Sequence, residues 1–167
     1  MNQEKSQVTP VGKAEFLSFQ IHRGKIRIGE KARTKFKQKI REMTKRNTPV
    51  SMYKITHDLN EYVEGWVGYM KIQEFKRIME DLDRFVRNRL RSIQLVKWKK
   101  PLKFQRIMIK AGKPIHDAKR TWVKMDRWKS IFRKEVLFTL DKNWFRRLGL
   151  ICLEDFTNKN LELQFNR

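Results

Sequence analysis

The stretch "FKRIMEDLDRFVRNRLRSIQLV", residues 75–96, decides the fold of this chain. Phe75, Ile78, Met79, Leu82, Phe85, Val86, Leu90, Ile93 and Val96 recur at intervals of three and four, the spacing that keeps one face of an α-helix apolar. The pattern runs without interruption until "KWKKP" ends it at Pro101. A helix this long, with one apolar stripe, needs other helices to cover it, so the spacing predicts a mainly α chain.

The neighbouring segments supply the partners. From Ala32 to Arg46, Phe36, Ile40 and Met43 form one stripe among seven basic residues, and "NTP" stops that helix. Ser51 is placed to cap a second helix, whose apolar positions run from Met52 through Ile55, Leu59, Tyr62, Val63 and Trp66 to Met70. Pro101 opens a short helix to about Ala111 that Gly112 closes, and Pro114 opens another to about Lys124. Beyond Ser130, "IFRKEVLFTL" and "NWFRRLGLICL" read as mostly helical. Before all of these, "EFLSFQIHRGKIRI" alternates Leu17, Phe19 and Ile21 across a Gly-containing turn to Ile26 and Ile28, a β-hairpin signal. The expected organisation is a flexible leader (1–13), a hairpin (14–30), a helical domain (31–154) and a polar tail (155–167).

Charge narrows the function. The chain of 167 residues carries 40 Lys and Arg against 18 Asp and Glu, a formal charge of +22. Its aromatic content of 11% supplies core side chains that a disordered basic tail lacks. A folded domain with this excess repels itself, and a polyanion relieves the repulsion. A membrane is the weaker candidate partner: the longest clearly apolar run, "LGLICL" (Leu148–Leu153), is far below the roughly 20 residues a spanning helix needs. The first residues, "MNQEKSQVTPVGK", lack the apolar core of a secretory signal, and a single cysteine, Cys152, cannot form an internal disulfide. A cytoplasmic location is expected.

Candidate chemistry is sparse. His22, His57 and His116 are far apart, so no metal site is expected. The densest acidic group, Glu80, Asp81 and Asp83, is explained by helix ion pairs of Arg77 with Asp81 and Glu80 with Arg84. There is no phosphate-cradling glycine loop and no nucleophile elbow. No cofactor and no small-molecule ligand are expected. The basic residues are better organised, because no acid interrupts the eleven Lys and Arg from Arg84 to Lys113. Arg84, Arg87 and Arg91 share the helix face opposite most of the apolar stripe and are expected to face phosphates, unless that face is simply solvated. Lys97, Lys99, Lys100, Lys103 and, further on, Lys129 extend the expected RNA-binding set. Trp98, inside "KWKK", either stacks on an unpaired base or anchors the end of its own helix.

The order of motifs resembles the maturase-specific domain of group II intron reverse transcriptases, which includes the polymerase thumb. "FLSF" (Phe16–Phe19) is similar to the strand closing the polymerase portion, and "ARTKFKQKIREMTKR" to the first thumb helix. "LNEYVEGWVGYM" resembles the family's signature of Asn60, Gly65, Trp66 and Tyr69 on one helix. "LDRFVRNRLR" and "KWKK" resemble the next basic helix, and Trp128, Ser130, Asn143 and "LGL" around Gly149 the closing elements. The resemblance covers about Phe16 to Leu153. The chain departs from the family at Ser18 and Glu64, where glycine and a basic residue are usual, and at Gly68, often asparagine.

The resemblance implies a helical, thumb-like bundle that binds structured group II intron RNA and assists its folding and splicing. The polymerase fingers, most of the palm and its metal-binding aspartate pair have no counterpart in this sequence, so no polymerase activity is expected of it. A thumb half that joins a separate palm polypeptide, or a remnant with nonspecific RNA affinity, are the alternatives. Gly65 and Gly68, one turn apart in a helix, are expected to admit a neighbouring helix or an RNA backbone. Trp66 is expected to insert into the core.

Overall fold

Alternation and helical period translate into a short sheet followed by a helical body in the computed structural model, which describes residues 15–16, 18–22, 25–70 and 76–156. The expected leader, the Gly24 turn, Phe75 and most of the polar tail lie outside the described residues. The sheet has three antiparallel strands in chain order, β1 (Glu15–Phe16), β2 (Phe19–His22) and β3 (Lys25–Ile28). Phe16 pairs with Phe19, and Phe19 with Ile28. Phe16 and Phe19 of "FLSF" therefore lie on two paired strands, not on one. Ser18 sits in the turn between them at φ 74°, a conformation that favours glycine because a Cβ crowds the backbone there. This gives a physical reason for the glycine that the resembled family prefers at this position. The Ser18 carbonyl accepts from Gly29 N at 2.7 Å, tying the turn to the start of the first helix.

Helix α1 (Glu30–Met43) buries Ala32, Phe36 and Ile40. It ends three residues earlier than the sequence suggests: at Thr44 the backbone leaves the helical region (φ −113°, ψ 48°), while Thr44 N still donates to the Ile40 carbonyl at 3.0 Å. Helix α2 (Met52–Tyr69) starts as expected: Ser51 Oγ accepts from Lys54 N at 3.2 Å. Its buried side includes Ile55, Leu59, Val63 and Val67, and half-buried Trp66 packs on Phe36 with ring centroids 4.6 Å apart. Helices α4 (Pro101–Lys110) and α5 (Ile115–Val123) form an antiparallel pair around Phe104, Met108 and Ala118. Gly112, at φ +85°, turns the chain between them, and Lys113 N closes the end of α4 onto the Met108 carbonyl at 3.0 Å.

The long helix α3 (Lys76–Lys97) is the axis of the body. Its apolar stripe is buried, including Met79, Leu82, Val86, Leu90 and Ile93. So is every position from Leu90 to Leu95, including Arg91, Ser92 and Gln94. A 3-10 segment (Arg127–Phe132) packs along α3, followed by α6 (Lys134–Thr139) and α7 (Lys142–Arg147). These short elements cover the side of α3 that its sequence marks as polar. The fold is mainly α with an N-terminal antiparallel hairpin, and no described helix is long and apolar enough to cross a membrane.

The glycines of α2 correct an expectation. A Cβ built on Gly65 or Gly68 meets no atom within 4 Å among the described residues, and both glycines face outward. No described helix approaches them, so the close-packing reason for these residues fails among the described residues. Each should then carry only its entropic cost of about 0.5–1 kcal/mol relative to alanine. The double variant G65A/G68A is expected to gain about 1–2 kcal/mol in urea melts. A loss of stability would mean that the open face is occupied in solution.

Candidate nucleic-acid interface

The helical spacing that groups Arg84, Arg87 and Arg91 on one face is present, but the face is not a phosphate stripe. Only Arg84 reaches solvent, where it pairs with Asp81 at 3.3 Å rather than with Glu80. Arg87 is largely buried, with Nη1 3.4 Å from Asp83 and 3.7 Å from Glu154. Arg91 is 6% exposed. Its Nε donates to the Leu140 carbonyl at 2.9 Å and its Nη1 to Asn88 at 2.8 Å, and its guanidinium lies over the Phe145 ring. Burial, with a smaller contribution from Arg87, brings the Arg91 pKa down to about 10. The neighbouring Arg89, which the sequence reading left without a role, donates to the Thr44 carbonyl at 2.6 Å and to its hydroxyl at 3.0 Å. Lys97 donates to the Thr48 carbonyl at 3.0 Å. Three cations of α3 thus satisfy carbonyls at helix ends and loops, where positive charge also meets the helix dipole. These are internal fasteners, and the expectation that Arg87, Arg91 and Lys97 face RNA is corrected.

Trp98 is likewise withdrawn from RNA. It is 6% exposed and packs against Phe104 and Trp144, with centroids 5.7 and 6.3 Å away. It anchors the junction of α3 and α4, the second of its two expected roles. The acidic group is also engaged. Asp83 is buried and accepts from Leu153 N at 2.9 Å and Glu154 N at 3.4 Å, capping a helical turn at 153–156. His57, Asp58 and Glu61 offer ligand atoms within 4.8 Å of one another. Asp58 is already paired with Lys54 at 2.6 Å, and that hydrogen bond holds its carboxyl below the usual range.

Exposed Lys31, Lys35 and Lys45 form no ion pair among the described residues, and a denser set of free cations lies beyond α3. Between Trp98 and Lys124 the chain has nine Lys and Arg against one acid, Asp117. Lys99, Lys100, Lys103, Arg106, Lys110, Lys119, Arg120 and Lys124 are exposed, and among the described residues none of the nine forms an ion pair. Lys103, Arg106 and Lys110 repeat the three-and-four spacing on α4, here with all three exposed among the described residues. The resulting surface is a rigid helical pair bearing unneutralised cations. Residues 33–112, from α1 through the end of α4, match the family model described as "Group II intron, maturase-specific domain".

Residues 33–112 carry a maturase-specific domain. Its function is therefore related to group II intron maturases. No curated protein matches the chain. The match takes in Asn60, Gly65, Trp66 and Tyr69, whose roles differ. Asn60 Nδ2 donates to the Gly149 carbonyl at 2.7 Å, and Asn60 Oδ1 accepts from Ile151 N at 3.0 Å. The amide thereby fastens α2 to the segment after α7. Gly149 adopts φ +87°, which lets Leu150 N turn back to the Phe145 carbonyl at 3.1 Å and present the Gly149 carbonyl to Asn60. Tyr69 is 62% exposed on the same helix as the open glycines.

The remaining motif residues of the maturase-specific resemblance fall outside the matched segment. Phe19 opens the central strand, and Phe16 sits at the end of β1. Ser130 is buried and its hydroxyl accepts from Asp126 N at 2.8 Å. Trp128 is half-exposed with the Arg46 guanidinium 3.7 Å above its ring. Asn143 is exposed on α7. Lys129, expected to contact RNA, is exposed and pairs with Asp126 at 3.1 Å. Sequence reading missed Arg120 and Lys124, although the acid-poor composition that singles out Arg84 to Lys113 continues through them with Asp117 as its one exception.

Proposed function

We propose that this maturase-specific domain binds structured group II intron RNA and favours its splicing-competent fold, without polymerase activity of its own. One observation carries the reading: among the described residues the nine cations from Lys99 to Lys124 form no ion pair, while Arg87, Arg89, Arg91 and Lys97 of α3 are consumed by the fold. A surface with unneutralised charge on rigid helices gains from releasing the counterions of a polyanion. The RNA supplies the chemistry, and the protein holds its backbone in one arrangement. A second reading, a thumb that joins a separate palm polypeptide, is favoured by the outer edge of β3, which has no strand partner among the described residues.

The test is a salt titration of intron RNA binding. Replacing Lys103, Arg106 and Lys110 together by glutamine should leave the circular dichroism spectrum unchanged, because all three are exposed. The slope of log affinity against log salt should flatten by about 2, at roughly 0.7 per lost single-strand phosphate contact. Arg84→Gln, which removes a cation already paired with Asp81, should change the slope far less. An unchanged slope in the folded triple variant would remove α4 from the interface.

A further inference from the structure

Two recesses of about 490 Å³ each meet around α6 and the Lys113 side chain. Lys113, Arg120, Lys124 and Arg133 converge on the first, against Asp117 and Glu135. None of the four cations forms an ion pair among the described residues, and Asp117 is engaged with His116 at 3.1 Å. The second recess has an apolar, partly aromatic lining of Ile107, Phe138 and Trp144, flanked by exposed Lys110 and Arg147; Asp141 also lines it, its carboxylate accepting from Trp144 N at 2.7 Å. Phe138 is 48% exposed, and Lys113 joins the two recesses by placing its Nζ 4.8 Å from the centre of the Phe138 ring. An exposed phenyl ring on a folded surface, beside a cleft with a surplus of cations, has the complementarity of one ligand class. A nucleobase offers a flat face to an aromatic ring without demanding specific hydrogen bonds, and its flanking phosphates satisfy cations.

We infer that the Phe138–Trp144 recess receives an unpaired RNA base while Lys113, Arg120, Lys124 and Arg133 hold the phosphates beside it. This rests on the RNA-binding reading and goes further, because it assigns α5 and α6 to single-stranded rather than duplex RNA. A base inside a helix is stacked on its neighbours and cannot enter a side recess. The site adjoins the α4 face of Lys103 and Arg106 through Lys110, so the two can engage one RNA together.

The experiment compares a short single-stranded oligo(A) RNA with a blunt RNA duplex, using Phe138→Leu, which keeps apolar bulk and removes the aromatic face. Oligo(A) affinity should fall about tenfold, the scale of losing one base stack, and duplex affinity should hold. The double variant R120Q/R133Q should flatten the oligo(A) salt slope by about 1.4, at roughly 0.7 per contact. Phe132→Ala, an exposed aromatic that lines neither recess, serves as the control and should change neither RNA's binding. Equal losses on oligo(A) and duplex, or no loss on either, would overturn the base site and leave the RNA-binding reading standing. A wild-type chain that binds neither RNA would overturn both.

Discussion

Arg91→Gln is expected to destabilise the fold by about 3 kcal/mol, while Arg84→Gln changes stability by less than about 0.5 kcal/mol. The two arginines lie on the same face of α3, so their difference isolates what covers that face. Arg91 is enclosed by α6 and α7, and its Nε is the donor to the Leu140 carbonyl at the end of α6. Glutamine is too short to reach that carbonyl, which would be left in a dry interior together with the space the guanidinium fills beside Phe145. A hydrogen bond from a charged donor contributes about 1.5–3 kcal/mol, and the lost packing of the long stem adds to it. At about 2–4 °C per kcal/mol for a chain of this size, the melting temperature should fall by roughly 6–12 °C. Thermal melts by circular dichroism decide the matter. A fully stable Arg91→Gln protein with weakened RNA binding would return this residue to the interface.

Asp83→Ala should cost about 2–3 kcal/mol at neutral pH, because one carboxylate serves three partners. It caps Leu153 N and Glu154 N, and its charge faces Arg87, which is then left with Glu154 alone at 3.7 Å. Burial pushes the Asp83 carboxyl up, more than its backbone hydrogen bonds and Arg87 bring it down. The sign of the pH dependence follows. A folded-state pKa above the unfolded value of 3.8 means that ionisation of Asp83 opposes folding. The wild-type advantage over Asp83→Ala is therefore largest below pH 3.8 and narrows as pH rises through the folded value. Urea melts across that range measure it. A deficit that widened with pH would show that the ion pair with Arg87, rather than burial, governs this carboxylate.

Much of the fold is legible because its signals are local. Ser51 caps α2, Pro101 and Gly112 bracket α4, and the period of α3 needs no tertiary knowledge. What covers α3 is not local. The elements that bury its second face are a 3-10 segment and two six-residue helices, too short to show a period, so Arg87 and Arg91 look like surface residues in the sequence. The same limit governs the site. Lys99, Lys100 and Lys103 are visible as part of an acid-free run and remain exposed. Arg120 and Arg133 meet in one cleft only because the chain turns between α5 and α6. Phe138 carries no signal at all in the sequence, since an aromatic in an apolar run reads as core.

The bonds that lock α2 and α3 to the end of the chain span long stretches of sequence. Asn60 reaches across 89 and 91 residues, and Asp83 across 70. Helices α4 and α5, by contrast, fold back on each other over a single turn at Gly112. Closing a short loop is faster than closing a long one, and synthesis runs from the N-terminus. The cationic helical pair is therefore made, and free to fold, before Gly149 leaves the ribosome to meet Asn60. The protein completes its unneutralised cationic surface before it can finish its own core.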